Sequence, residues 1–166
     1  MGPMNRTLRL GFIAFLLALG ACGGGDEGGS HSDPDYQAQQ LGQLEGEWLM
    51  DCVPHTDTPG AQSYRDGFQF KIDGSVVWFG GMYSDANCVD QFRVESNDGT
   101  VTVGEAFGEG LAMNLTFNME AGPLEVLTIY SLKNNVLRLG EDFSWDSDKR
   151  STKLSDVVYR RQKKSR

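Results

Sequence analysis

The residue types best suited to catalysis lie close together in one stretch of the chain. Asp51, His55, Asp57 and Ser63 supply a carboxylate, an imidazole and a hydroxyl, the groups that serve as orienter, base and nucleophile when they converge. No serine lies in a strand–turn–helix elbow of the Gly-x-Ser-x-Gly type, and His55 follows a proline in a predicted loop. We therefore expect a solvated loop and no enzyme, with a hydrolase as the remote alternative.

Metal ligands are few. The acidic stretch 141–148 offers hard oxygen ligands for calcium, but it lacks the glycine and the distal glutamate of a helix–loop–helix site. His55 is the only histidine outside the glycine-rich segment near the amino terminus, so a zinc cage lacks ligands. We expect stretch 141–148 to be a solvated hairpin loop, and we expect the chain to hold no metal and no cofactor.

Length and charge limit the class of protein. The 166 residues suit one domain. Beyond residue 21 the chain carries 13 basic and 23 acidic residues, a net charge of −10, so nucleic acid is a poor partner. The last residues, 160–166, are basic nonetheless. This tail either touches anionic lipid head groups or is a solubilising end.

The amino terminus predicts export. Residues 1–9 contain two arginines and no acid, and residues 10–20 are uncharged and mostly apolar. Such a run is too short for a membrane span of about 20 residues, but it is typical of a signal peptide. Two kinds of signal peptide fit this segment, and they differ in the residues at its end.

The signal ends in Leu19-Gly20-Ala21-Cys22, which resembles the lipobox of bacterial lipoproteins. The resemblance implies removal of residues 1–21, diacylglycerol on the Cys22 sulfur and acylation of the new amino terminus. It implies an envelope protein anchored in a membrane, the outer one if the host has two, because glycine follows the cysteine. An ordinary secretory signal is the alternative.

Residues 23–40 begin with a run of glycine, serine and acidic side chains that cannot bury enough apolar surface to fold. We expect a flexible tether with a reach of about 25 Å. Lipidation of Cys22 leaves Cys52 and Cys88, which we expect to form a disulfide in an oxidising compartment. Two free buried thiols are the alternative.

From residue 41 to 162, apolar residues recur with period two, the pattern of strands with one buried face. Segment 111–120 is the clearest case, and shorter ones cover 67–73, 75–83, 100–107, 125–132, 135–140 and 154–160. Turn signals separate them at Asp73-Gly74, Gly80-Gly81, Asn97-Asp98-Gly99 and Lys133-Asn134-Asn135. Eight to ten strands joined by tight turns predict an all-β, antiparallel, up-and-down barrel. Residues 36–44 suit a short helical turn before it, and residues 163–166 follow as a tail.

Trp48 lies in Leu44-Glu-Gly-Glu-Trp48, which resembles the Gly-x-Trp opening of lipocalins and related calycin barrels. The end of the barrel segment, with Arg160 and Arg161, resembles their closing strand, whose basic residue stacks on that tryptophan. Trp48, Cys52 and segment 83–88 are also similar to small envelope lipoproteins of bacteria. The resemblance implies a lipocalin-like barrel, and the alternative is a core tryptophan of another β fold.

Eight aromatic side chains are candidates to line a ligand cavity, since an eight-stranded barrel either holds one small ligand or fills with side chains. They are Phe68, Phe70, Trp78, Phe79, Tyr83, Phe92, Phe107 and Phe117. Two functions follow. The first is a membrane-anchored binding module for a small hydrophobic or amphipathic ligand, and the second is an envelope scaffold with a filled barrel that contacts a protein partner.

Overall fold

The protein is all-β apart from one helix. The computed structural model describes residues 33–141 and 149–163, so the predicted signal peptide, Cys22 and most of the acidic stretch 141–148 lie outside the described residues. The elements in chain order are α1 (Pro34–Leu44), β1 (Gly46–Met50), β2 (Val53–Pro54), β3 (Ser63–Phe70), β4 (Ser75–Tyr83), β5 (Gln91–Phe107), β6 (Gly110–Met119), β7 (Gly122–Lys133), β8 (Val136–Leu139) and β9 (Tyr159–Arg161).

The strands close into a barrel. Neighbours along the sheet follow the order β1-β9-β8-β7-β6-β5-β4-β3, and a further pairing of β1 with β3 joins the two ends. All pairs are antiparallel, and the two-residue β2 pairs with the start of β3. The predicted fold class, an antiparallel up-and-down barrel of eight strands, is confirmed. Closure removes the open sheet edges that otherwise invite aggregation.

Helix α1 covers one end of the barrel, which we call the helix end. The Asp33 carboxylate accepts the amide of Asp35 at 3.0 Å as an N-terminal cap. Gln37 Oε1 accepts the Val103 amide at 3.1 Å, and Gln40 Oε1 accepts the Tyr130 hydroxyl at 2.9 Å. Residues 34–40 thus belong to the folded domain. The tether expected over 23–40 was wrong for these residues, because their polar side chains bind the barrel.

Trp48 lies in β1, the strand that closes the barrel by pairing with both β3 and β9. Its side chain is fully buried, and its indole N–H donates to the Leu44 carbonyl at 2.7 Å. The Arg161 guanidinium carbon lies 4.6 Å from the centre of its ring, and Arg161 also donates to the Gln43 carbonyl. Both contacts satisfy carbonyls at the carboxyl end of α1 that have no partner within the helix. Arg160 points the other way and lies 3.7 Å from Asp51.

Cys52 and Cys88 form a disulfide, as predicted. Cys52 follows the end of β1 farthest from the helix, and Cys88 lies in the loop between β4 and β5. The bond therefore ties two loops at the opposite end of the barrel, which we call the disulfide end. Bridging residues 36 positions apart stabilises the fold by roughly 4 kcal/mol in the chain-entropy picture.

Two predicted turns lie inside strands. Gly80-Gly81 is part of β4, and Asn97-Asp98-Gly99 is part of the long strand β5. These glycines relieve crowding instead of bending the chain. A Cβ at Gly99 would lie 2.3 Å from the Thr116 carbonyl oxygen on the neighbouring strand. The turns at Gly74 and at Asn134-Asn135 are confirmed, with positive φ at all three residues.

Replacing Arg161 with glutamine tests the closure contact. We expect the free energy of unfolding to fall by about 1 kcal/mol, the scale of a cation–π contact. The matched control is Arg160→Gln, which removes only an exposed ion pair and is expected to change stability by less than about 0.5 kcal/mol. Chemical denaturation measures both variants. Equal losses would show that the stacking of Arg161 on Trp48 does not hold the strands together.

Candidate functional site

The eight candidate aromatic side chains do not form one group. Phe68, Phe70 and Phe117 are fully buried in the interior, and Trp78 is 7% exposed. Phe79 and Tyr83 are half-buried and lie on the outer face of β4, because side chains alternate along a strand.

Phe92 and Phe107 are exposed, at 53% and 42%, so their predicted place in the interior was wrong. Phe92 has the opposite parity to Arg93 and Glu95, which face inward, and it is left unpaired where the β4–β5 ladder shifts between Met82 and Tyr83. A second shift between Val103 and Ala106 turns Phe107 outward, where its ring centre lies 5.7 Å from the Arg150 guanidinium carbon. Ile72 has the same parity as Phe68 and Phe70 in the predicted segment 67–73, but it lies in the β3–β4 turn and is 61% exposed.

The interior is filled toward the helix end. Trp48, Phe68, Phe70, Phe117 and Tyr130 are at most 1% exposed. A side chain with no surface accessible to water borders no void that holds a water molecule. A ligand at these side chains would therefore have to displace them from native-like packing.

The interior becomes polar toward the disulfide end. Asp66 points inward on β3, two residues before Phe68. The Tyr64 hydroxyl donates to Asp66 Oδ2 at 3.1 Å, and Trp78 and Tyr159 direct weaker donor contacts at the same carboxylate. Asp66 Oδ1 is buried and has no hydrogen-bond partner. The cluster thus keeps one acceptor unfilled.

No described cation offsets the charge of this carboxylate. Burial is the main cause that raises the pKa of Asp66, against the donor contacts of Tyr64, Trp78 and Tyr159. Burial, and then the charge of Asp66, raise the pKa of Tyr64 and Tyr159 far above the ordinary value. Both tyrosines therefore stay protonated and act as donors. An ionised Asp66 costs stability, because its hydrogen bonds do not make up for lost hydration.

The rim above Asp66 is open. Arg93 and Glu95, inward-facing on β5, form an ion pair with each other and are both exposed. Met50 and Met82 face the same space and are half-buried. We call this concave surface, from Asp66 and Tyr64 up to Arg93 and Glu95, the cup. With one cation and two carboxylates, it carries one net negative charge when Asp66 is ionised.

A second feature lies on the outer face of the same strand. Arg65 lines a shallow groove of about 210 Å³ with Leu49, Phe79, Tyr83 and Val94, and Glu47 also borders it. Arg65 Nε is buried and has no hydrogen-bond partner. Adjacent residues of β3 thus present an unmatched acceptor to the cup and an unmatched donor to the groove.

Two of the residues considered for the remote hydrolase alternative, Ser63 and His55, make contacts that do not bring them together. Ser63 Oγ donates to the Asp85 carbonyl at 2.6 Å and lies 3.2 Å from the Cys88 sulfur. His55 shares a hydrogen bond of 3.0 Å with Thr58. Ser63 therefore supports the disulfide loop. Within 33–141 and 149–163, no three His, Cys, Asp or Glu side chains are grouped to hold a metal ion.

The sequence pattern concealed both features. Tyr64, Arg65 and Asp66 interrupt the apolar alternation, so strand β3 was predicted to begin only at residue 67. The available signal was parity, since residues 64 and 66 share a face with Phe68 and Phe70.

Comparisons with known proteins add no family. Neither a comparison with protein-family models nor one with curated proteins finds a match to the chain. None of the helices that the structure describes is long and apolar enough to cross a membrane.

Replacing Asp66 with asparagine tests the cost of its charge. Because the pKa is raised in the folded protein, stability is highest below the ordinary value and is lost as pH rises through the folded pKa. We expect Asp66→Asn to be more stable than the native protein at pH 7 by about 1 kcal/mol, the scale of one unmatched buried polar atom. The gain should vanish in acid. Thermal unfolding from pH 3 to pH 8 measures it.

Asp85→Asn is the matched control with the opposite sign. Hydrogen bonds from the amides of Asp90, Asn87 and Val89 lower the pKa of Asp85. Its contribution is therefore present at neutral pH and is lost as pH falls through the folded pKa. We expect this variant to be less stable than the native protein at pH 7. A destabilised Asp66→Asn at pH 7 would contradict an uncompensated charge.

Proposed function

We propose that this chain is a non-enzymatic lipoprotein of the bacterial envelope, anchored through Cys22, that binds a small amphipathic ligand in the cup. The observation that carries the proposal is the buried carboxylate of Asp66, which has an unfilled acceptor at the open end of an otherwise filled barrel. Proteins retain such costly groups mainly where they serve a function.

Membership of a lipocalin-like family belongs to the same proposal. The closed antiparallel barrel is consistent with it, and so is the stacking of Arg161, in the last strand, on Trp48, in the first. The ligand position differs from the deep interior that we expected from the aromatic residues. The cup replaces it because the helix end has no room.

The ligand chemistry follows from the charges of the cup. The carboxylates of Asp66 and Glu95 make the cup a site of negative charge, so we expect the polar end of the ligand to be a protonated amine. Trp78, Met50 and Met82 supply apolar and polarisable surface next to Asp66. A short alkyl group fits beside them, whereas a carboxylate would be repelled by Asp66 and Glu95.

A scaffold that contacts a protein partner is the second candidate. The filled helix end favours it, since such a barrel needs no ligand to be stable. The two candidates assign function to different surfaces, and a chain can hold both.

Three six-carbon probes test the cup: hexylammonium, 1-hexanol and hexanoate, titrated into the lipidated protein in nanodiscs. The readout is the Trp78 indole N–H signal in NMR, assigned with Trp78→Phe. We expect hexylammonium to bind at least about tenfold more tightly than hexanoate, because tenfold needs only 1.4 kcal/mol of charge discrimination.

Asp66→Asn is expected to abolish the preference for the cation while the protein stays folded. Asp73→Asn is the control, because Asp73 is exposed and bonded within its own turn to Ser75. Equal binding of all three probes, or an unchanged preference in Asp66→Asn, would contradict the proposed ligand site.

The anchor has a separate test. Replacing Cys22 with serine removes the acceptor for diacylglycerol, and several acyl chains are needed for stable anchoring. We expect the variant to leave the membrane fraction and to retain the Cys52–Cys88 disulfide. Cell fractionation with mass spectrometry measures both. A variant that still sediments with membranes would rule out this anchor.

A further inference from the structure

The outer groove lies beside two glycines of the outer face. Gly81 of β4 lines it, and Gly67 of β3 lies under Leu49 and Phe79, which are also lining residues. A Cβ at Gly67 would lie 2.7 Å from Leu49 Cδ2 and 2.9 Å from Phe79 Cζ. The result is a depression of about 210 Å³ on a surface that is otherwise the convex side of a barrel.

Arg65 is the one basic side chain among the residues that border this depression. Its Nε is buried without a hydrogen-bond partner, and none of the ion pairs among the described residues involves it. Glu47 borders the groove too, but it forms no ion pair with Arg65. Arg65 as a whole is half-buried, and a partly desolvated guanidinium that forms no ion pair attracts a carboxylate.

We infer that the groove is a docking site for a partner protein, which places an acidic side chain on Arg65 and a neighbouring apolar side chain against Leu49 and Phe79. The opposite charges fix the first contact. Arginine and large aromatic residues dominate the binding energy of protein interfaces, and Arg65, Phe79 and Tyr83 supply this composition.

The size and shape of the groove favour a protein over a free fatty acid. Pockets that enclose a drug-sized ligand are about 300–1,000 Å³, so this one holds little more than one side chain. Val94 on its border is 54% exposed, and Phe92, two residues away, is 53% exposed. A partner can extend over both, whereas an acyl chain would stay in water.

This docking site does not depend on the cup, because inward and outward side chains of β3 and β4 separate the two. A failure of the amine probes leaves the groove untouched, and the reverse also holds. Glu47 adds specificity, since it disfavours a partner that places its carboxylate at the wrong position.

The test uses the lipidated protein in nanodiscs and two capped dipeptides as probes, acetyl-Phe-Glu-amide and acetyl-Phe-Gln-amide, with hexanoate as the lipid-like carboxylate. The readout is the chemical shift of the Gly80 and Gly81 backbone amides, which border the groove. We expect the glutamate peptide to bind at least about fivefold more tightly than the glutamine peptide and than hexanoate. In Arg65→Gln the glutamate preference disappears.

Arg65→Lys shows whether the loss in Arg65→Gln is due to the missing charge. It keeps the positive charge and should retain part of the preference for the glutamate peptide. Lys71→Gln is the control, because it removes an exposed cation in the β3–β4 turn, and it should retain all of the preference. Equal binding of the two peptides, or an unchanged preference in Arg65→Gln, would overturn the inference. So would tighter binding of hexanoate than of the glutamate peptide, which would make the groove a site for free carboxylates.

Discussion

Trp48 connects helix α1 with two strands that are distant from it in sequence, β3 and β9. Its indole N–H holds the last carbonyl of α1, its backbone pairs β1 with β3 and β9, and its ring face carries Arg161. An eight-stranded sheet closes only if its first and last strands meet in register. Because one buried side chain fixes both the helix and this register, the helix end is dense, and the opposite end is left to the loops and the disulfide.

This polarity of the barrel explains where function can lie. Large side chains fill the helix end, so a ligand finds no space there. At the disulfide end the alternation along β3 continues, but its residues change from Phe70 and Phe68 to Asp66 and Tyr64. The fold therefore brings costly, unmatched polar atoms to both faces of one strand. Such departures from local consistency are typical of functional sites, since stability alone would select against them.

Much of the fold follows from patterns that the sequence displays openly. Period-two alternation in 111–120 predicts β6, whose Met113, Leu115 and Phe117 are fully buried. The Cys52–Cys88 disulfide is the pairing that follows from the predicted export to an oxidising compartment. Trp48 and Arg161 meet as the resemblance to calycin barrels implied.

The parts that could not be predicted depend on tertiary context. A register shift reverses the face of Phe107, and Phe92 falls on the outward parity of β5. No local pattern marks either outcome. Gly80-Gly81 and Gly99 have the composition of turns, yet they lie in strands. A side chain at Gly99 would collide with the neighbouring strand, and a single sequence does not show this crowding. The cup and the groove could not be predicted from the sequence. Consecutive polar residues such as Arg65 and Asp66 are typical of a loop, and their positions on the two faces of a strand become clear only in the barrel.

The most direct test of a barrel that is filled at one end and binds at the other is the position of the bound probe. Intermolecular nuclear Overhauser effects from the terminal methyl and the methylene groups of hexylammonium report this position. We expect contacts with Trp78, Met50 and Met82 and none with Phe70 or Phe117. Contacts with Phe70 or Phe117 would show that the helix end opens to ligand, and they would contradict a barrel that is filled at that end.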